Sequence, residues 1–217
     1  MFGLDDHIAA LGAGELFGVV ALVAVLLGLR HATDPDHLAA VTTLVASDEP
    51  GPRRAGRLGF IWGLGHATSL FVFGVPVVLF ESYLPGAVQT AAETTVGILI
   101  IVLALRLLRR PHHRRQARTP LQAYVVGLVH GMGGSAGVGV LLLATIPSHV
   151  EALAALVLFA SCTALSMAGA STTFGFALSR GPVLRSYLTL TPAMGVLSLA
   201  FGLWYSLGAL NAVPYVF

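Results

Sequence analysis

Five ionisable side chains and a proline interrupt an apolar stretch at Arg30-His31-Ala32-Thr33-Asp34-Pro35-Asp36-His37. Gly18 to Leu29 before it and Leu38 to Ala46 after it carry no charge. Imidazole nitrogens and carboxylate oxygens are donors that first-row divalent metals accept. His31, Asp36 and His37 are therefore candidate metal ligands. A plainer reading makes Asp34 and Pro35 a simple helix start, with Arg30 neutralising Asp36 and the histidines serving as buried hydrogen-bonding residues. So many ionisable groups within one apolar run are a costly way to kink a helix, and inside a bilayer such groups mark function.

In an unbroken helix His31 and His37 would lie about 600° apart at ~100° per residue and would face different ways. The local residues predict a break instead. Asp34 can cap a new helix, Pro35 suits its first position, and Asp36 sits where the helix dipole favours an anion. Pro35 also lacks an N–H, which frees carbonyls that protein, water or an ion must satisfy. Asp34 is read as cap rather than ligand, and Arg30 as a charge partner.

The surroundings must then hold this break in a membrane. The 217 residues are 56% hydrophobic and 10% charged, with a mean hydropathy of +0.84, which is the composition of an integral membrane protein and excludes a separate water-soluble domain. Six apolar segments, near 15–46, 58–80, 91–109, 121–145, 151–179 and 189–210, each reach the ~20 residues needed to cross a bilayer. The first is overlong, as a broken span should be. Met1 to Gly14 has no basic residue, so a cleaved signal peptide is not expected and the first span should stay in place.

All 12 basic residues other than histidine are arginine, and 11 of them fall at alternate connections. Arg53, Arg54 and Arg57 follow the first span, Arg106 to Arg118 surround the end of the third, and Arg180 and Arg185 follow the fifth. The positive-inside rule then predicts a multi-pass protein of the cytoplasmic membrane with both termini outside. The net charge of +2 reports this orientation and requires no nucleic-acid partner. Cys162 is the only cysteine, so no intrachain disulfide or dithiol pair exists, and packing is its expected role.

The second span opens Gly59-Phe60-Ile61-Trp62-Gly63-Leu64-Gly65-His66. Small residues let helices approach closely, which would carry His66 towards the first span. Alone, such a histidine reads as packing; beside a His-rich break it reads as a ligand. The third span looks like scaffold, with Glu93 near its outer end. His112 and His113 stand among arginines that repel a cation, so that loop, about 109–120, is read as a cytoplasmic anchor. His7, His149 and Glu151 lie on the predicted outer face.

The fourth span repeats the first. Gly28-Leu29-Arg30-His31 lies over Gly127-Leu128-Val129-His130 at a constant shift of 99, which puts Pro35 over Gly134 and Asp36 over Ser135. A second helix break is expected there, with His130 either a site residue or part of a close-packed crossing. Gly65-His66 falls over Ser166-Met167 and Gly97 over Gly195. Met167 offers a thioether, though methionine in an apolar helix is usually core. Two copies of three spans each, about 15–109 and 121–211, must be inverted relative to one another, an arrangement of secondary transporters whose sites form where broken helices meet.

Arg30-His31-Ala32-Thr33-Asp34-Pro35-Asp36-His37 resembles the His-x4-Asp-His signature of the nickel/cobalt transporter family, and Gly59 to Ser69 is similar to its second, Gly-Leu-Gly-His signature. Gly127 to Ser135 is similar instead to the smaller UreH-like branch, and the family's later acidic signatures are not found. The resemblance implies transport of Ni²⁺ or Co²⁺ as substrate, with His31, Asp36, His37 and His66 at the selectivity site and no resident cofactor. The expectation is an all-α, six-span, non-enzymatic metal transporter in which His130 joins the site and Arg30, Asp34, Pro35, Ser135 and Met167 support it. An exporter or a carrier of another solute on the same scaffold, and an intramembrane metalloenzyme, are the alternatives; oligomeric state is left open.

Overall fold

A computed structural model of the chain describes residues 4–46, 51–80, 85–109, 119–133, 146–180 and 187–214. Every regular element among them is an α-helix: α1 (Leu4–His31), α2 (Pro35–Ala46), α3 (Pro52–Phe80), α4 (Gly86–Leu108), α5 (Pro120–His130), α6 (His149–Ser179) and α7 (Tyr187–Ala209). Four of these, α3, α4, α6 and the stretch Pro192–Ala209 of α7, are long and apolar enough to cross a membrane. The pair Phe17–His31 and Pro35–Val45 adds a fifth crossing if taken as one span, bent by 47° at the break. The fourth apolar segment, near 121–145, is described only as far as Gly133, and Ser135 lies outside the described residues.

The helix starts follow from local chemistry. Pro52 and Pro120 stand at first helical positions, where a missing N–H costs nothing. Thr119 and Gln122 close a reciprocal capping box at the start of α5, and the Ser148 hydroxyl accepts the Glu151 N–H at the start of α6. The Asp34 carbonyl accepts the Leu38 N–H, so Asp34 holds the capping position of α2.

Apolar side chains face outward along these helices. Leu22, Leu26, Val72, Leu165 and Leu197 are each more than half exposed, as lipid-facing residues of a multi-pass protein are. With lipid outside, close packing rather than hydrophobic exclusion must join the helices, and small residues supply it. α3 runs along both α6 and α5, α1 lies against α6, and α4 against α7. A Cβ added to Gly63 would stand 2.7 Å from the Ala164 Cα, so α3 and α6 cross there almost backbone to backbone. Gly65 meets the Tyr124 carbonyl and Gly127 the Trp62 carbonyl with no room for a side chain between α3 and α5. These contacts set the depth of His66 against His130.

Candidate metal centre

The break in the first span is a three-residue turn. α1 ends at His31, the Thr33 and Asp34 N–H groups reach back to the Arg30 and His31 carbonyls, and Pro35 opens α2. The turn redirects the chain so that His37 comes beside His31, their ring centroids 4.3 Å apart. α3 presents His66 to both, at 4.9 Å from His31 and 5.0 Å from His37. α5 ends at His130, whose ring lies 4.4 Å from His37, and Gly131 caps that end against the His66 carbonyl. Four imidazoles from four helices thus meet with Asp36, and all five residues are buried.

The polar bonding of this cluster is incomplete. His31 and His66 approach Nε2 to Nε2 at 2.9 Å, and His37 Nδ1 lies 3.1 Å from Asp36 Oδ1. Asp36 Oδ2 and His130 Nε2 are 3.4 Å apart, too poorly aligned for a hydrogen bond. Among the described residues, Asp36 Oδ2, His37 Nε2, His66 Nδ1 and both nitrogens of His130 have no hydrogen-bond partner. Buried polar atoms in native proteins are nearly always satisfied, so five orphans on four neighbouring side chains mark a place prepared for something that takes lone pairs. A divalent cation does that. Two nitrogens at the His31–His66 spacing, each about 2.1 Å from an ion, would subtend an angle of about 90°, the cis angle of square-planar or octahedral coordination rather than the tetrahedral one.

Behind the donors stands a second layer. Asp34 Oδ2 lies 3.4 Å from His31 Nδ1, and Asp34 Oδ1 takes a 3.1 Å bond from the Arg30 guanidinium. The Asp34 side chain is 8% exposed and that of Arg30 70%, so an outward-facing cation holds the carboxylate that contacts His31. Asp34 therefore both starts α2 and contacts the His31 ring, and Arg30 pairs with Asp34. Pro35 forms the break. Met167 is buried in a cluster with Leu44, Trp62 and Leu178. Glu93 is buried on α4, with Gln89 donating to it at 3.1 Å. His112 and His113 lie outside the described residues.

Two walls were not read from the sequence. Trp62 stands 5.7 Å from both His37 and His130, and Phe159 on α6 stands 5.6 Å from His31. Trp62 lies one helical turn before His66 and so shares its face, a spacing that could have found it. Nothing local announces Phe159, which reaches His31 from a distant helix.

Residues 17–110 match a family described as high-affinity nickel-transport protein, NicO. Among curated proteins, the chain is 28% identical over 211 residues to urease accessory protein UreH of Bacillus sp. (strain TB-90), covering 88% of this chain and 91% of that one. It is 37% identical over 82 residues to nickel transporter NicT of Mycobacterium tuberculosis, covering 37% of this chain and 22% of NicT. It is 30% identical over 130 residues to nickel transporter NixA of Staphylococcus aureus, covering 51% and 36%. No solved structure matches.

Proposed function

We propose that this chain carries Ni²⁺ or Co²⁺ across the cytoplasmic membrane through the cluster at the α1–α2 break; the match of residues 17–110 to a nickel-transport family and the partial likeness to proteins named nickel transporters support this. His31, His37, His66 and His130 serve as nitrogen ligands and Asp36 as an oxygen ligand that offsets the ion's charge. Asp34 and Arg30 hold His31, and Pro35 keeps the span broken. The observation that carries this reading is the set of buried donors without partners. Imidazole-rich sites suit nickel and cobalt. The relative matched over nearly its whole length is named a urease accessory protein, while NicT and NixA are named nickel transporters; the donor set favours transport.

Alternating access follows from two inverted three-span repeats, about 15–109 and 121–211, rocking against each other. Paired contacts support the repeat. Gly97 of α4 abuts Ser206 of α7, and Gly195 of α7 abuts Leu108 of α4. A shift of 98 residues converts one contact into the other, the same shift that relates Gly97 to Gly195. The Leu29 carbonyl accepts the Ser166 hydroxyl and the Leu128 carbonyl accepts the Ser69 hydroxyl, both at 2.5 Å; the two leucines are the shift-of-99 pair, while the serines lie one turn off the positions aligned above. α1 stops at His31 and α5 at its counterpart His130. The arginine pattern supports an orientation with both termini outside.

The test is metal flux into proteoliposomes holding the purified protein. Ni²⁺ or Co²⁺ should accumulate with wild type and not with His31→Ala or His37→Ala. Flux that persists in both variants defeats the assignment, and the same vesicles with the gradient reversed read the direction of transport.

A further inference from the structure

The donors do not fall into one coordination sphere. They form two sets of three, His31 with His37 and His66, and Asp36 with His37 and His130, and within each set one donor atom per residue lies within 4.8 Å of the others. Ligands about 2.1 Å from one ion stand at most about 4.2 Å apart, so either set can close on a cation with small adjustments. The rings of His66 and His130 are 6.1 Å apart on different flanks of His37. Resting on the transport reading above, we propose that the centre is two overlapping stations that share His37, and that a single ion passes between them by exchanging its other two ligands.

The chemistry of the stations differs in a way that transport needs. Three neutral imidazoles leave a divalent ion's charge at +2, whereas two imidazoles and the Asp36 carboxylate reduce it to +1. In a poorly hydrated interior the second station holds the ion more tightly and the first lets it go more easily; a pathway needs both. His37 can serve as pivot because its Nδ1 is steadied by Asp36 while its Nε2 has no partner. The stations also differ in where they are built. His31, His37 and His66 all lie in the first repeat and move together. Among the described residues His130 is the one donor from the second repeat, so displacement of one repeat against the other makes or breaks the second station and leaves the first intact. The flanking residues follow this division: Phe159 lies beside His31, and Trp62, with a buried and unpaired indole N–H, beside His37 and His130.

The experiment is titration of the purified full-length protein in detergent with Ni²⁺ and Co²⁺, read by calorimetry, Ni K-edge absorption and Co²⁺ visible spectra. Wild type should bind one ion per chain. His130→Gln should keep one ion in a three-imidazole environment, and His66→Gln should keep one ion with two imidazoles and a carboxylate, each within about tenfold of wild type and with distinct spectra. His37→Gln should weaken binding by about 100-fold, since it depletes both stations. Unchanged helicity and gel-filtration behaviour qualify each variant, and His31→Gln reads the first station if His66→Gln does not fold. One ion held by four imidazoles in wild type, with His130→Gln and His66→Gln degrading the same spectrum, overturns the two stations and leaves the transport reading standing. So does His130→Gln or Asp36→Asn that leaves affinity and spectrum untouched. Failure of wild type to bind either metal overturns both.

Discussion

Gly131 is no ligand, yet replacing it with alanine should weaken the metal station that His130 completes. Gly131 caps α5 immediately after His130, with φ −74° and ψ 0°, a conformation alanine adopts freely, so the backbone itself gives no reason for a glycine. Space gives the reason. An added Cβ would stand 2.6 Å from the His66 carbonyl oxygen and 3.0 Å from the Ser69 Cβ, and real Cβ atoms essentially never come within 3.0 Å of such neighbours. To restore even that limit the end of α5 must back away from α3 by about 0.4 Å, twice the ~0.2 Å tolerance of metal–ligand distances. The residues driven apart are the two on either side of the obstruction, His66 and His130.

The displaced atom is backbone in a packed helix, so it does not swing aside as a flexible side chain would. Overpacking of this kind costs roughly 1–3 kcal/mol, which leaves the variant folded in a protein of ordinary stability. Nickel affinity, by contrast, should fall by up to about tenfold, the ceiling set above for losing His130 altogether, with the spectrum moving towards the three-imidazole set His31, His37 and His66. Gly127→Ala, where the obstruction is the Trp62 carbonyl and the fit closer still, should lose more. Gly169→Ala is the control, because nothing lies within 4 Å of its added Cβ. Calorimetric titration with Ni²⁺, beside thermal unfolding followed by circular dichroism, separates loss of the site from loss of the fold. Wild-type affinity in a folded Gly131→Ala protein would refute the claim that the α3–α5 approach sets the coordination geometry.

Asp34→Asn removes the carboxylate that contacts His31 while keeping the residue's size, and should raise the nickel dissociation constant by no more than about tenfold with stoichiometry unchanged in calorimetry, since the Asp36, His37 and His130 set stays whole. Met167→Leu should leave nickel affinity unaltered and cost under about 1.5 kcal/mol of stability, as volume-conserving core swaps do; a loss of binding would place its thioether at the site. Ser69→Ala and Ser166→Ala each delete one hydroxyl bond to the paired Leu128 and Leu29 carbonyls, and should lower unfolding stability by similar amounts of about 0.5–1.5 kcal/mol. Strongly unequal losses would count against the two bonds being repeat-related.

Short-range grammar is what made the site legible. His31, Pro35, Asp36 and His37 lie within seven residues, so the cost of charge in an apolar run and the helix-start pattern of Asp34 and Pro35 both register in one window. His66 is a single polar residue in a glycine-rich span, and only the neighbouring break gave it meaning. His130 required comparison of two distant segments, since nothing around Gly127 to Gly133 is charged. What sequence could not show is which way a side chain turns. Asp34 reads as a cap, and it does begin α2, but the three-residue turn also brings its carboxylate to His31 Nδ1 and within reach of Arg30. Arg30 could equally have been drawn to Asp36, two residues further on. Phe159 belongs to the same limit, because its contact with His31 is fixed by how α1 packs along α6, with Gly28 against the Phe159 carbonyl.

The inverted repeat proposed above pairs the helices more faithfully than it pairs the donors. An inverted pair of repeats has two equivalent ways of packing, which is what lets a carrier face either side at similar energy. Were the ligands repeated as faithfully, an ion would meet equal donors from each half and would bind equally in both arrangements; a ligand with equal affinity for two states shifts neither. Here His31 has a counterpart in His130, but His66 falls over Met167 and Asp36 over Ser135. On that reading the first half supplies His31, Asp36, His37 and His66, and among the described residues the second supplies His130. The ion would then ride with the first half, and its contact with His130 would carry its presence across the interface between halves. His130→Gln should accordingly slow exchange between the two facings more than it weakens binding, measured as Ni²⁺ counterflow in proteoliposomes against calorimetric affinity. Equal loss in both measurements would mean that His130 is an ordinary ligand and that coupling between the halves lies elsewhere.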